Sequence, residues 1–179
     1  SIPRVSFNIS ARHLRSPTLV KSLIATTLKY GIEPYMLCIE ITEHALLEEG
    51  DVVKKNMREI KAAGFSISLD DFGMGHSSLL YLKRWAVDEV KIDRSFVDGL
   101  LNSAEDRVIV KAIVALGDAL GLQLVGEGVE NQMQADILAA SGCKNVQGYF
   151  YSPPIDAKEM ETWLKKNGAK KASAGIIAH

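Results

Sequence analysis

The feature that most constrains the fold of this chain is a regular alternation of short apolar segments with longer amphipathic segments. The short segments are typical of β-strands, and the long ones repeat their apolar residues at helical spacing. Because the strands alternate with helices, the pattern predicts a parallel sheet joined by right-handed crossovers. Predicted strands cover residues 4–10, 36–42, 66–70, 90–92 and 122–125, with a short one near 146. Predicted helices cover residues 17–31, 51–63, 77–84, 105–120, 130–140 and 155–166.

Local signals add detail to several of these elements. Ser16 followed by Pro17 is typical of an N-cap with proline at the first helical position, and Asp51 predicts a second N-cap. Cys38 alternates with apolar neighbours, which predicts a buried thiol. Helical spacing in the longest predicted helix indicates a buried face formed by Val108, Ile109, Ala112, Ile113, Leu116 and Leu120.

Composition excludes several classes of protein. With 47% hydrophobic residues and a net charge of −1, the chain resembles neither a disordered tail nor a basic nucleic-acid-binding domain, so we expect no DNA partner. No apolar stretch approaches the roughly 20 residues of a membrane span. The two cysteines, far apart in sequence, argue against a disulfide scaffold and favour a reducing cytoplasm.

The length and the chain ends lead to expectations about domain organisation. The 179 residues suffice for one domain, which we expect over residues 1–167, followed by a flexible tail over residues 168–179. The first residue is not methionine, so we expect the chain to be a fragment of a longer protein.

Two architectures are compatible with the alternation of strands and helices. An open doubly wound sheet needs only five or six strands, whereas a closed eightfold barrel needs eight strands and roughly 250 residues. The six predicted strands favour the open sheet at face value. The glycine fingerprint of dinucleotide-binding folds, however, follows none of the predicted strands.

Polar residues at the strand ends shift this balance toward the barrel. In a barrel the carboxyl ends of all strands converge on one axis, which is where active sites of such folds lie. An open sheet would leave the outer ends far apart. We therefore predict a TIM-like (β/α)8 barrel, of which the chain holds about six βα units, with two units preceding Ser1. The polar residues at or just after the strand ends are Asn8, Glu40, Glu43, Asp70, Asp71, Lys91, Asp93, Glu127 and Gln147.

Each of these residues also has a purely structural interpretation. Asp70 and Asp71 could cap the following helix, and Lys91 alone is more often the partner of an ion pair than a catalytic group. Chance, however, should scatter polar residues over both ends of the strands. Their restriction to one end favours a functional site.

The ligand atoms that these residues offer are oxygens, which select Mg²⁺, Mn²⁺ or Ca²⁺ rather than zinc. The adjacent Asp70 and Asp71 repel each other, and divalent cations would relieve that repulsion. Two such ions would activate water for in-line attack on phosphorus, with Lys91 holding the water or neutralising a phosphate oxygen. Phosphodiester hydrolysis is therefore the leading chemistry. Metal-assisted proton abstraction beside a carboxylate is the chemical alternative.

Six ordered motifs resemble those of the EAL domain family. They are FNISARHL (7–14), IEITEHAL (39–46), SLDDFGMGHSSLLYL (68–82), VDEVKIDRSFV (87–97), GEGVEN (126–131) and VQGYFYSPPI (146–155). The resemblance runs from about Val5 to Ile155. It implies a bacterial phosphodiesterase that opens cyclic di-GMP to linear pGpG on a barrel fold with two Mg²⁺ or Mn²⁺ ions.

The resemblance also implies roles for individual residues. Metal ligands would be Asn8, Glu40, Asp70 and Glu127, with Asp71 bridging or binding the second ion. The catalytic candidates are then Lys91, which would orient the attacking water, together with Asp71 and Glu127. Gln147 matches the active-site glutamine of the family. Glu43 matches a glutamate that steadies the loop 71–78, and this loop tends to couple metal binding to dimerisation.

The sequence departs from the family pattern at three places. The Glu-Ala-Leu motif is absent, and we expect the strand that carries it to precede Ser1. Met74 and His76 stand where the family usually has threonine and tyrosine, and Gly126 replaces a common alanine.

The resemblance also leads to expectations about partners and location. It implies a homodimer, with a sensory or diguanylate cyclase domain elsewhere in the full-length protein. Such a protein would act in the bacterial cytoplasm, with or without a membrane tether outside this chain. The alternative function is that of an EAL-like domain that binds cyclic di-GMP without cutting it.

Overall fold

A computed structural model describes residues 4–47, 50–73, 82 and 85–167. The chain divides into two compact units between Val90 and Lys91. We call residues 2–90 the N-terminal unit and residues 91–167 the C-terminal unit. The predicted tail lies outside the described residues, so the predicted domain of residues 1–167 and its tail stay predictions.

The strands of the N-terminal unit are parallel, as predicted. They are β1 (Val5–Asn8), β2 (Leu37–Thr42), β3 (Ser66–Phe72) and the first half of β4 (Glu89–Ile92). Asn8 pairs with Glu40 in the register of β1 and β2, and Glu40 pairs with Ser68 in that of β2 and β3. Within this unit the amide of Asp88 donates a hydrogen bond to the Ile67 carbonyl, at 2.9 Å, just before β4.

Both faces of β2 and β3 are buried, which is the normal situation in a parallel sheet covered by helices. Ile39, Ile41 and Ile67 are fully buried, and so are Cys38 and Glu40, which alternate with them along β2. The prediction of a buried Cys38 thiol is thus confirmed. Met57 and Ile60 of the helix preceding β3 contribute to the same core. Described helices of this unit are α1 (Ala11–Leu14), α2 (Leu19–Tyr30), α3 (Glu43–Leu47) and α4 (Asp51–Ala62), with a 3₁₀ turn at Pro34–Met36.

The starts of two helices differ from the prediction. Helix α2 begins at Leu19 with Thr18 as its N-cap, because Ser16 closes a local turn instead: its hydroxyl accepts from the Thr18 amide at 3.4 Å. Pro17 lies in that turn. Asp51 is the first residue of α4, and Gly50 is the N-cap. A carboxylate in the first turn still stabilises the helix by interacting with the helix dipole. The aspartate therefore indicates correctly that a helix begins nearby, but it does not mark the N-cap position.

The C-terminal unit continues the pattern of parallel strands and helices. It holds the second half of β4, then β5 (Gln123–Gly126) and β6 (Asn145–Val146), which pair in parallel through Val125 and Asn145. The Glu127 amide donates to the Ile92 carbonyl at 3.1 Å, which joins the end of β4 to the end of β5. Within each unit the strand order follows the chain, from β1 to β4 in the N-terminal unit and from β4 to β6 in the C-terminal unit. Its helices are α5 (Arg94–Gly99), α6 (Ala104–Leu120), α7 (Gln132–Ala140) and α8 (Ala157–Asn167).

The buried face of α6 differs from the predicted one. Val110, Ile113 and Val114 are buried, whereas Val108 is 66% exposed and Ile109 is 38% exposed. Apolar residues surround more than half of this helix, so their spacing alone did not define the side that packs. Among the described residues, none of the helices combines the length and the apolarity that a membrane span requires.

Several short elements escaped the sequence analysis. They are α1, the 3₁₀ turn, α3 and α5, each of six residues or fewer. Periodicity needs about three turns of helix to be detected, and these segments offer at most two. The predicted helix 77–84 lies almost wholly outside the described residues.

Candidate functional site

In the N-terminal unit, oxygen-bearing side chains lie on one face of the sheet. Asn8, Glu40 and Ser68 occupy the same level of three neighbouring strands, because they are register partners. Asp70 lies two residues beyond Ser68 and pairs with Thr42 at the next level. Residues two apart in a strand point to the same side. The register therefore brings three of the predicted metal ligands, Asn8, Glu40 and Asp70, to one face.

Burial varies along this face. Glu40 is 1% exposed, Asp70 is half-buried and Asn8 is exposed. Glu43 is buried at the start of α3, directly after β2. The donor set of two carboxylates and an amide oxygen fits a hard divalent cation, because such ions prefer oxygen ligands.

Asp71 lies in strained backbone. Its φ is +57°, in the left-handed region that is unfavourable for residues other than glycine. The Asp71 amide donates a hydrogen bond to Asp70 Oδ1 at 3.1 Å. Strand β3 continues through Phe72, so it ends two residues later than the predicted strand 66–70. The left-handed conformation of Asp71 interrupts the regular alternation of side chains between the two faces of the strand. Met74 and His76 lie outside the described residues.

Ser68 is a member of this face that the sequence analysis missed. Its side chain is fully buried, and its hydroxyl has no hydrogen-bond partner among the described residues. A serine inside an apolar strand is weak evidence of a site. Only its register with Glu40 places it there.

In the C-terminal unit, three predicted site residues contact one another. Lys91 Nζ lies 2.6 Å from Glu127 Oε1, and Gln147 Nε2 donates to the same oxygen at 2.7 Å. The Lys91 side chain is 2% exposed and that of Glu127 is 15% exposed. The carboxylate therefore holds a charged and a neutral donor in a largely water-excluded place, where both interactions are strengthened.

Backbone hydrogen bonds hold this cluster in position. Lys91 is part of β4, Glu127 follows β5 and Gln147 follows β6. The Gln147 amide donates to the Gly126 carbonyl at 2.9 Å, and the Val129 amide donates to the Gln147 carbonyl at 3.0 Å. The segments after β5 and β6 are thus joined side by side, which keeps the Gln147 side chain next to Glu127.

A cavity of about 230 Å³ adjoins the cluster. Burial, followed by the charge of Asp136, raises the pKa of the Tyr151 phenol, so this side chain of the cavity wall is neutral at physiological pH. Gln147 Oε1 is buried and has no hydrogen-bond partner among the described residues. Gln147 therefore uses its amide nitrogen to hold Glu127, while its oxygen is buried beside the cavity. Its lining includes Arg94, Glu127, Glu130, Gln147, Tyr149 and Tyr151.

The sequence analysis missed Arg94 and Glu130 as parts of this wall. Arg94 Nη2 donates to Glu130 Oε1 at 2.5 Å, and both side chains are about half exposed. Each residue lies within one of the six motifs, three positions after a predicted site residue: Arg94 follows Lys91, and Glu130 follows Glu127. That proximity was the available signal.

Comparison with known proteins identifies the family. The sequence profile of the EAL domain matches residues 1–154, and the chain belongs to this family. Its relatives include the bifunctional diguanylate cyclase/cyclic di-GMP phosphodiesterase MucR of Pseudomonas aeruginosa, 40% identical over 156 residues. That match covers 87% of this chain and 23% of MucR. The resemblance inferred from the six motifs is confirmed.

Solved structures show the same fold. The PaMucR phosphodiesterase in complex with c-di-GMP has a TM-score of 0.83 and 39% identity, over 88% of this chain and 64% of that one. The manganese/cy-diGMP complex of Klebsiella pneumoniae BlrP1 has a TM-score of 0.77 and 30% identity, over 82% of this chain and 38% of that one. The fold class is the α/β, TIM-like one predicted from the strand ends, represented here by six strands with their helices.

Proposed function

We propose that this chain is the larger part of a metal-dependent phosphodiesterase domain that hydrolyses cyclic di-GMP to linear pGpG. The observation that carries the proposal is the cluster of Lys91, Glu127 and Gln147, whose donors converge on one carboxylate oxygen. Membership of the EAL family supports it, as do the names of MucR and of the two nucleotide complexes.

We assign two Mg²⁺ or Mn²⁺ ions to the domain. Asn8, Glu40, Asp70 and Glu127 would bind them, with Asp71 bridging or binding the second ion. The alignment of Asn8, Glu40 and Asp70 on one sheet face supports this set, and the manganese complex of BlrP1 supports the choice of metal. A bound divalent ion supplies Lewis acidity toward the phosphodiester and makes water more acidic.

The side chains of this protein would then orient the attacking water and neutralise charge on the phosphate. Lys91, held by Glu127, would orient the attacking water and balance negative charge that develops on the phosphate. Gln147 keeps the Glu127 carboxylate in one orientation through its amide donor. Glu43, buried at the start of α3, would steady the segment that follows Asp71.

The test uses the complete polypeptide that carries this chain, with cyclic di-GMP and either Mn²⁺ or Mg²⁺. We expect pGpG as the product and its loss in Glu127→Gln and Asp70→Asn. Glu161→Gln is the matched control, because Glu161 forms an exposed ion pair with Lys165 on α8. Nucleotide binding without any pGpG, at saturating metal, would contradict hydrolysis and indicate a receptor domain.

The neighbouring domains and the oligomeric state are further parts of the proposal. The chain spans 23% of MucR, whose name includes a diguanylate cyclase activity. We infer a sensory or cyclase domain in the same polypeptide and a homodimer in the bacterial cytoplasm. Light scattering coupled to size exclusion would measure the dimer, and a monomer at micromolar concentration would contradict it.

A further inference from the structure

We infer that Arg94 is a positioning residue that holds the backbone carrying Glu127, so that this carboxylate is ready for the divalent ion. The inference rests on the proposed function, since it concerns the same metal ligand. Arg94 would act through Glu127 and would itself contact neither substrate nor metal. It lies at the start of α5, within the C-terminal unit that also holds Glu127.

The charged end of Arg94 joins two segments. Its Nε donates to Asp98 Oδ2 at 3.1 Å, one turn further along α5, and its Nη2 donates to Glu130 Oε1 at 2.5 Å. Asp98, and then Glu130, favour the cationic form and raise the pKa of Arg94, which is therefore charged at every physiological pH. Because these groups are about half exposed, the ion pairs alone would stabilise the unit little.

The aliphatic part of Arg94 makes a closer contact. Gly128, the residue after Glu127, has a φ of +73°, and a methyl group built on it would lie 2.8 Å from Arg94 Cδ and still closer to Cγ. The Arg94 stem thus packs directly against the Gly128 backbone. A side chain at residue 128 would clash with this stem, and the left-handed conformation is also unfavourable for residues other than glycine.

The same segment also packs against Gly148. A methyl group on Gly148 would overlap the backbone of Val129, and the Phe150 amide donates to the Val129 carbonyl at 3.0 Å. The Glu130 amide donates to Gln134 Oε1 at 2.8 Å, which fixes the end of the segment. Residues 127–130 are therefore held from the β6 side and from α7. Arg94 supplies the contact from α5.

Loss of the Arg94 side chain should loosen this segment without removing any proposed ligand. Glu127 would then bind the ion less tightly, because part of the ordering would occur on binding. Second-sphere changes of this kind typically lower metal affinity by about 10-fold. The expected signature is a metal-dependent defect that excess Mn²⁺ corrects.

The experiment measures Mn²⁺ binding to the complete polypeptide by calorimetry, without nucleotide, and turnover as a function of Mn²⁺. For Arg94→Ala we expect about 10-fold weaker Mn²⁺ binding and turnover restored at saturating Mn²⁺. Arg94→Lys keeps an aliphatic stem beside Gly128 and loses only part of the exposed ion pairs, so it should bind Mn²⁺ within about 3-fold of the parent protein, which keeps the test valid if Arg94→Ala fails to fold.

Arg107→Ala is the matched control. Arg107 Nη1 donates to the Leu100 and Leu101 carbonyls, so its loss should lower the melting temperature without changing Mn²⁺ affinity. Unchanged Mn²⁺ affinity in Arg94→Ala would overturn the inference, and so would a raised KM for cyclic di-GMP at saturating Mn²⁺, which indicates direct substrate contact. If Arg94→Ala does not fold, the test rests on Arg94→Lys. Mn²⁺ binding that is as weak in Arg94→Lys as in Glu127→Gln would then overturn the inference. If the unmodified protein binds Mn²⁺ but produces no pGpG, the proposed function fails while the positioning role stands or falls on Mn²⁺ binding alone.

Discussion

In the C-terminal unit, the side chains of the candidate site hold one another, since Lys91 and Gln147 both donate to Glu127 Oε1. In the N-terminal unit, the sheet register places Asn8 beside Glu40 and Glu40 beside Ser68, and the backbone of Asp71 is strained. The first arrangement depends on particular partners, whereas the second depends on strand pairing that many backbone hydrogen bonds maintain. A single substitution should therefore destabilise the C-terminal unit more than the N-terminal unit.

The largest expected effect follows removal of the Lys91 ammonium. Lys91→Met would leave Glu127 without its buried cation, and we expect a loss of about 3 kcal/mol in the free energy of unfolding and roughly 100-fold in kcat. Urea denaturation and pGpG formation measure the two quantities. Lys165→Met, which breaks an exposed pair with Glu161, should change the free energy of unfolding by no more than about 0.5 kcal/mol.

A double variant sharpens the same prediction. In Lys91→Met with Glu127→Gln, both charges are absent, so most of the stability should return while activity stays lost. If the single variant is as mild as Lys165→Met, the ion pair does not organise this unit and the comparison between the units is wrong.

The second prediction concerns the strained backbone of the N-terminal unit. Asp71→Gly removes the penalty of a left-handed non-glycine residue, and we expect the free energy of unfolding to rise by about 1 kcal/mol while hydrolysis is lost. Asp71→Asn should lose hydrolysis equally but gain less stability, because it keeps a side chain. A lower midpoint of urea unfolding for Asp71→Gly than for Asp71→Asn would show that the strain is not relieved there.

The third prediction compares two buried serines of the N-terminal unit. The Ser68 hydroxyl has no hydrogen-bond partner among the described residues, so Ser68→Ala should be neutral or stabilise the unit by about 1 kcal/mol. Ser6 is also buried, and its hydrogen bond with Cys38 partly offsets the rise in the pKa of that thiol that burial causes, so Ser6→Ala should destabilise by about 1 kcal/mol. Equal losses in the two variants would mean that Ser68 is hydrogen-bonded in solution.

The smallest effect at neutral pH concerns the buried thiols. Burial, reinforced by the charge of Glu89, raises the pKa of Cys38 to about 12, and burial raises that of Cys143 to about 11 although backbone hydrogen bonds oppose it. A raised pKa contributes stability below the unfolded pKa of about 9, which is lost as pH rises toward 11 or 12. We expect the melting temperature to fall above pH 9, less so in Cys38→Ala than in the parent protein. An identical fall in both proteins would exclude this contribution.

Much of the fold could be predicted from the sequence, since strand and helix periodicities differ and the strands are short. The parallel order, the buried Cys38 and the polar residues after the strands were all predicted from that pattern. The start of α2 was misplaced because the Ser16 hydroxyl accepts from the Thr18 amide in a turn that precedes the helix, instead of capping the helix itself. The buried side of α6 was misplaced because its apolar residues span more than half of the helix circumference.

For the candidate site, the residue types were predictable and their mutual contacts were not. Glu127 and Lys91 lie 36 positions apart, and no local signal states that they touch. Ser68, Arg94 and Glu130 were missed because their relevance depends on a register, a glycine contact and a loop path. The positive φ of Asp71 was equally hidden, because aspartate does not require that conformation.

By itself, the amino-acid order determined the alternation of strands and helices, the family, and the chemical type of the site, because periodicity and residue chemistry are local properties of the chain. Tertiary structure alone decided which donors converge on Glu127 Oε1, which hydroxyl is buried without a partner, and which arginine packs against Gly128. These are contacts between residues distant in sequence. They depend on how strands pair and loops pack, and a local pattern does not contain that information.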